Sequence, residues 1–390
     1  MAANKKVLAL GLAASGGGDW PSLAAVVLGL SQRGYRVRYF ADAPIATALR
    51  HTDVVVDAMR PEATLRSYML RWNERVAAVG PSAAGYIPLV TPVTEWSADS
   101  LPAVCDLIAH FQPDVMLSQF FTIELASRIK AKTGLPWCCV NPAYYFGPQS
   151  RRSLEADIAP RDRPWFVHCQ SLLEGADLVL HATDAVFDPP PAQLPRHHQY
   201  VGPLLWEPPS VMPSFLAEPG PPWVLVTLSL SPQHEDMRLA RAALTALAAQ
   251  PVRVLLTLSE RHPREELLPL PANARVESYV PHAEVLPRAC LLVSHAGHGV
   301  VLKALYYGVP MVLVPWGRDQ PGVAARAEAL GVAKVIPREV LSDVRLSEAV
   351  AAVLSAPQHQ IEAQRHAQRL QGQQPVDVAC QAIKALLHVV

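Results

Sequence analysis

A chain of 390 residues is long enough for two domains with full hydrophobic cores. Half of its residues are apolar and 17% are charged, with 34 Lys and Arg against 34 Asp and Glu. That balance removes any electrostatic case for nucleic acid or an anionic membrane surface as a partner. No apolar run approaches the ~20 residues that span a bilayer, so no stable membrane insertion is expected. The six cysteines have no ligand spacing; no metal site is expected, and the thiols read as packed side chains in a reducing compartment. Lys5-Lys6 followed by Val7–Ala14 imitates a short signal peptide, but it runs straight into a Gly-rich turn and an amphipathic helix. It reads as the first strand of a cytoplasmic protein.

In chain order, Val7–Leu12 is a buried strand leading to the turn Gly16-Gly17-Gly18-Asp19-Trp20-Pro21. A helix over Ser22–Arg33 follows, with Ser22 placed to cap it and Gly34 to stop it. Tyr35–Phe40 and Val54–Asp57 read as strands, Glu62–Val79 as a helix, and Gly80–Glu95, with Pro81, Pro88 and Pro92, as a loop. Asp114–Leu117, Trp137–Val140 and Asp177–His181 complete a series of strands separated by helical stretches. That alternation means a parallel sheet covered on both faces. Phe187–Pro222 holds eleven of the 37 prolines, which sustain neither helix nor central strand, so it reads as a linker. The alternation then restarts with strands at Val224–Leu228, Val252–Leu258, Val276–Val280, Leu291–Ser294 and Met311–Val314 and a helix at Asp236–Ala249. From Asp343 onward the pattern is helical. The expected architecture is α/β: two Rossmann-like doubly wound domains over residues 1–205 and 223–372, a Pro-rich linker over 206–222, and a final helix over 373–390. Open α/β domains hold ligands at the carboxyl ends of their strands.

The densest chemistry lies in Leu291–Gln320. A strand ends at Ser294 and meets His295-Ala-Gly297-His-Gly299; a helix runs to Gly308, a second strand follows, and a loop closes on Asp319-Gln320. Glycines let backbone N–H groups approach an anion, and the helix aims the positive end of its dipole at the same point. His295 adds a donor. Asp319 and Gln320, a carboxylate and an amide, suit sugar hydroxyls rather than phosphate. Phosphate at one strand end and polyol at the next describe a nucleotide-sugar site.

This layout resembles the family-1, GT-B-fold glycosyltransferases that glycosylate natural products, macrolides, glycopeptides and carotenoids. The HxGxG-like turn, Gly308-Val-Pro310 and Asp319-Gln320 carry the resemblance, and the tail Asp319–Arg326 looks most like the carotenoid-glycosylating branch. The resemblance implies a GT-B fold, two Rossmann-like domains facing across a cleft, with the last helix crossing back to the first domain. It implies that His295 and the amides of Gly297, His298, Gly299 and Val300 meet the donor diphosphate. Tyr279 would stack on the base, Val280 would read its edge and His282 would lie near. Ser229 and Ser231 would reach phosphate, and Trp316, Asp319 and Gln320 would hold the sugar. Two departures stand out: Val300 and Val301 where relatives carry a phosphate-binding Ser or Thr, and Lys303 where many carry a ribose-binding Glu.

On the acceptor side the resemblance points to Gly18-Asp19, as in glycopeptide-modifying relatives, where plant relatives have a catalytic His. The position of their assisting Asp is Gln119. Asp19 is therefore the candidate base, with an N-cap as the plain alternative. Trp20, Trp72, Tyr86, Trp96, Phe120 and Tyr144 are candidate contacts for an apolar acceptor, with core packing as their plain alternative. The expectation is an inverting glycosyltransferase using a UDP- or dTDP-sugar as co-substrate, with no cofactor and no metal, as a monomer or homodimer. Rival expectations are a nucleotide-sugar epimerase, a phosphorylase, and a non-catalytic accessory protein of the same fold.

Overall fold

The computed structural model describes residues 5–13, 19–79, 90–229, 236–260 and 262–389. The first sheet comprises β1 (Lys6–Gly11), β2 (Arg36–Ala41), β3 (Val55–Ala58), β4 (Val115–Ser118), β5 (Trp137–Asn141), β6 (Leu178–His181) and β7 (His198–Tyr200). Its order is β3-β2-β1-β4-β5-β6-β7. The second comprises β8 (Trp223–Thr227), β9 (Arg253–Thr257), β10 (Ala274–Glu277), β11 (Ala289–Ser294), β12 (Met311–Leu313) and β13 (Ala333–Val335). Its order is β10-β9-β8-β11-β12-β13. Every pairing is parallel. Both sheets are doubly wound, and strand order reverses at β1/β4 and at β8/β11, where such folds open a ligand crevice.

Parallel strands are covered on both faces and must be apolar along their length. Val7, Leu8, Ala9 and Leu10 are fully buried, as are Val224, Leu225 and Val226. The buried polar residues of the strands fall at carboxyl ends: Ser118, Asn141, His181, Thr227, Thr257 and Ser294 each close a strand. Polar chemistry is thus collected at one edge of each sheet. Chain contacts divide the protein into two units: Met1–Leu154 with Pro160–Pro208 and Gln374–Val390, and Pro209–Gln373 with Glu155–Ala159.

Three readings change. Val90–Phe111 is a helix, so the expected loop ends before Pro92; a proline in a first helical turn removes no bond, because those N–H groups have no intrahelical acceptor. Residues 80–89 lie outside the described residues. Inside the Pro-rich stretch, His198–Tyr200 pairs with β6 as the edge strand β7. The first helix starts at Trp20 rather than Ser22.

Within the first unit, the closing helix Pro375–Val389 packs on the helix Trp20–Gln32. A Cβ added at Gly29 would fall 2.3 Å from Val376 Cγ1, and Arg33 pairs with Asp377. Within the second unit, Asp157 is clipped by a buried ion pair, Arg326 Nη1 to Asp157 Oδ2 at 2.8 Å, with side-chain exposures of only 6% and 3%. Arg326 also donates to Gly322 O at 3.0 Å, and Ala159 N donates to Arg318 O at 2.8 Å. Removing one partner takes the counter-charge away from a buried ion. Asp157→Ala is expected to destabilise the second unit by about 3–5 kcal/mol, and Asp157→Leu with Arg326→Leu by much less. Urea unfolding of the three proteins measures both.

Candidate functional site

Three loops at the carboxyl edge of the second sheet form the core of the site. β8 runs into Leu228 and Ser229, the latter buried at 5% exposure; Ser231 lies outside the described residues. β11 runs into His295, Ala296 and Gly297, and the helix His298–Tyr307 starts with Gly297 at its N-cap. The first amides of that helix have no intrahelical acceptor, so they face whatever lies ahead of β11. Ala296 adopts φ of 65°, and Arg318, in the loop after β12, adopts φ of 55°. Left-handed backbone at two non-glycine residues, one in each motif loop, is strain of a kind that concentrates at binding sites.

His295 is buried, and its Nδ1 has no hydrogen-bond partner among the described residues. Burial is the main reason its pKa falls to about 4; Asp236 pulls it back up and Arg318 pushes it further down. The imidazole is therefore neutral at pH 7, with a ring nitrogen left for a ligand. Gly297 is required here by space: a Cβ would stand 2.9 Å from His295 Nε2. Trp316 Nε1 is likewise buried without a partner among the described residues. Gln320 is buried, and its Oε1 accepts from Trp316 N at 2.8 Å and Gly317 N at 2.9 Å. Its carbonyl therefore shapes the loop, and only its NH2 group is left for a sugar. Asp319 sits at the N-cap of Gln320–Ala329 without bonding the helix amides through its side chain. His298 is buried at 7% exposure, while Tyr279 is 57% exposed and Val280 is buried. Gly299, Val300 and Lys303 lie in the first turns of His298–Tyr307, and His282 opens the short helix His282–Val285.

One group escaped sequence reading. His262 Nδ1 lies 2.9 Å from Ser259 Oγ and its Nε2 3.1 Å from Asp236 Oδ2, with Asp236 fully buried at the start of Asp236–Leu247. Thr257 Oγ1 donates to Thr227 Oγ1 at 2.8 Å, tying the ends of β9 and β8. These contacts support the strand ends near which His295 sits.

In the first unit, Asp19 stands at the N-cap of Trp20–Gln32, yet its carboxylate makes no cap bond to that helix. It lies close enough to Cys169 to contribute, after burial and two other charges, to raising that thiol's pKa. Gln119 is fully buried, and its Nε2 donates to Leu12 O at 2.7 Å, just past the end of β1. Asp42 accepts from Ala13 N at 3.0 and 2.9 Å. Gln119 thus bonds the backbone just past β1. Trp96 and Tyr144 are corrected from acceptor contacts to core: both are fully buried, and Trp96 Nε1 donates to Ala63 O at 3.0 Å. Trp20 is buried against Trp206. Phe120 packs among Phe121, Phe146, Trp165 and Phe166 at 5.2–5.8 Å between ring centroids. Trp72 is partly exposed, and Tyr86 lies outside the described residues. Among the described residues no three His, Cys, Asp or Glu side chains converge as metal ligands.

Two predictions follow from His295. Gly297 has an ordinary φ of −64°, so Gly297→Ala strains no backbone but displaces the ring. It is expected to weaken uridine or thymidine diphosphate binding about tenfold by calorimetry, with little change in melting temperature. The unfolded imidazole titrates near ~6.5, whereas the folded one titrates at about 4. Between these values the unfolded chain binds the extra proton, so stability falls with decreasing pH through that window, by up to about 3 kcal/mol for this group. His295→Gln should flatten that part of the pH dependence in denaturant titrations.

Residues 241–385 match the family model "Erythromycin biosynthesis protein CIII-like, C-terminal domain". The chain is 33% identical over 200 residues to 4'-demethylrebeccamycin synthase of Lentzea aerocolonigenes, covering 50% of this chain and 47% of that protein. It is 26% identical over 345 residues to demethyllactenocin mycarosyltransferase of Streptomyces fradiae, covering 80% and 72%. The first of these alignments thus spans about half the relative's length. The crystal structure of the glycosyltransferase VinC in complex with dTDP superposes with a TM-score of 0.68 at 18% identity, over 99% of this chain and 100% of that one. The chain therefore has the GT-B fold of these glycosyltransferase structures, and its residues 241–385 match the erythromycin biosynthesis protein CIII-like C-terminal domain.

Proposed function

We propose that the protein is an inverting glycosyltransferase that moves a sugar from a UDP- or dTDP-linked donor to a hydroxyl of an apolar small molecule. The observation that carries this reading is His295. It is a buried, neutral imidazole beside a strained turn and a helix N-terminus, and its Nδ1 has no partner among the described residues. Such a site accepts a diphosphate's developing charge through amides and one imidazole, so no metal is required for departure. The names of the relatives and of the dTDP-bound neighbour fit the same chemistry.

In the proposed reaction the acceptor oxygen forms a bond to the anomeric carbon of an α-linked donor as the bond from that carbon to phosphate oxygen breaks. The nucleoside diphosphate leaves with the electron pair toward His295 and the amides at 297–300. The acceptor proton passes to the Asp19 carboxylate, and the product is a β-glycoside. A carboxylate is a weak base for an alcohol. Proton transfer therefore lags behind bond cleavage, and alignment by Asp19 supplies much of the rate. Asp319 and the Gln320 amide hold the sugar, Trp316 lies beside it, and Tyr279 and Val280 take the base, with His282 near. Ser229 is a further phosphate contact. We place the reaction in the cytoplasm, carried out by a monomer or homodimer.

Asp19→Asn keeps the shape and removes the base. It is expected to cut transfer by roughly a hundredfold or more while donor affinity stays within about twofold. Asp319→Ala is expected to raise KM for the donor. A panel of UDP- and dTDP-sugars, scored for nucleotide release with and without an apolar alcohol, reads both. Interconversion of the donor sugar by the protein alone would favour an epimerase, and the absence of nucleotide-sugar binding would favour an accessory protein.

A further inference from the structure

At the edge of the first sheet a cavity of about 110 Å3 opens between β6, β7, the helix Arg163–Leu173 and the segment 145–149. Tyr145, Phe146, Leu173, His181, His197 and His198 are among its walls, and neither Asp19 nor Gln119 lines it. The sugar-transfer reading uses none of its three histidines.

The histidines are held neutral. His181 is 1% exposed, and burial drives its pKa well below the usual value, helped by the neighbouring His198. Burial, then His197, lowers His198 to about 4. His197 is lowered as well, again mainly by burial, and its Nε2 is buried with no hydrogen-bond partner among the described residues.

Hydrogen bonding fixes where the protons sit. Asn141 Nδ2 lies 3.3 Å from Ala143 O and 3.2 Å from Tyr144 O, so the amide nitrogen, not its oxygen, faces that side. The same nitrogen lies 2.9 Å from His181 Nδ1, which must accept. His181 then carries its proton on Nε2 and donates to His198 Nδ1 at 2.9 Å. With Nδ1 accepting, neutral His198 carries its proton on Nε2. The only hydrogen bond the His198 side chain makes among the described residues is the one at Nδ1. A relay anchored on Asn141 therefore ends in a donor, on a residue of the cavity wall, that no group among the described residues takes up.

The rest of the cavity says what shape and charge the ligand has. The Tyr145 ring stands edge-on to His181 and His198, with centroids 5.7 and 5.3 Å apart, which makes an aromatic wall for a flat ring. An apolar cavity of ~150 Å3 takes benzene; this one, smaller but open, has room for one ring and not two. Glu174 lies at the cavity and no cationic side chain is among its walls, so an anion meets repulsion without a counter-charge. We propose that this cavity is a binding site for a small uncharged aromatic alcohol, a phenol, whose oxygen accepts from His198 Nε2–H. It is separate from the residues assigned to sugar transfer and does not depend on that assignment.

Ligand-observed NMR on the full chain with phenol, benzene and benzoate tests this. Phenol is expected to bind in the millimolar range, benzene about five- to tenfold more weakly for want of one hydrogen bond, and benzoate not detectably. Gln170→Trp, a change at a partly exposed wall residue, is expected to cut phenol binding at least about tenfold at an unchanged melting temperature. His198→Phe keeps a ring in place and removes the donor, so phenol should lose its advantage over benzene. Absence of phenol binding, benzoate binding as well as phenol, or phenol binding to both variants as to the unaltered protein would each overturn the proposal.

Discussion

Keeping an imidazole out of water costs it its charge, and the second domain is built around that cost. Burial holds His295 neutral, with a pKa of about 4, at the end of a strand whose residues Leu291–Ser294 are all buried. The ring fits because position 297 has no Cβ. The turn that carries it includes Ala296 in the left-handed region, and the helix after it presents unsatisfied amides on the same side. A buried ring nitrogen without a partner is ordinarily unfavourable by about 1–3 kcal/mol, and an arriving anion relieves it. Such an arrangement is poised for a ligand and poor as mere packing.

The neighbouring loops follow from the same constraint. Gln320 gives its carbonyl to the amides of Trp316 and Gly317, so this loop is shaped by a residue expected to contact sugar. Arg318 carries the second left-handed residue and is anchored through its carbonyl by Ala159. In the first domain Gln119 and Asp42 hold the backbone of Leu12 and Ala13, just past β1. Asp19 stands at the start of its helix without capping it through its side chain.

Much of this was legible in the amino-acid sequence where local patterns decide it. Buried apolar runs mark central strands, and the spacing of His295, Gly297, Gly299, Gly308 and Asp319-Gln320 marks the loops between them. What could not be read rests on long-range pairing or on very short elements. β7 and β13 have three residues each, and β7 hides in a Pro-rich stretch. Asp157 and Arg326 are 169 residues apart. Ser259, His262 and Asp236 carry no motif, and the relay through Asn141, His181 and His198 joins three different strands. Trp96 and Tyr144 show the opposite error: an aromatic residue near a loop looks the same in sequence whether it lines a pocket or fills a core.

The central claim is that His295 receives the diphosphate, and proton linkage tests it most directly. An anion beside a neutral imidazole of pKa about 4 must raise that pKa, so binding should take up protons at mildly acid pH. Calorimetric titration of uridine or thymidine diphosphate near pH ~5.5, in two buffers of different ionisation enthalpy, measures the uptake. A fraction of a proton more for the unaltered protein than for His295→Gln, with tighter binding by the former, is expected. Equal proton uptake and equal affinity in the two proteins would contradict a role for His295 at the diphosphate.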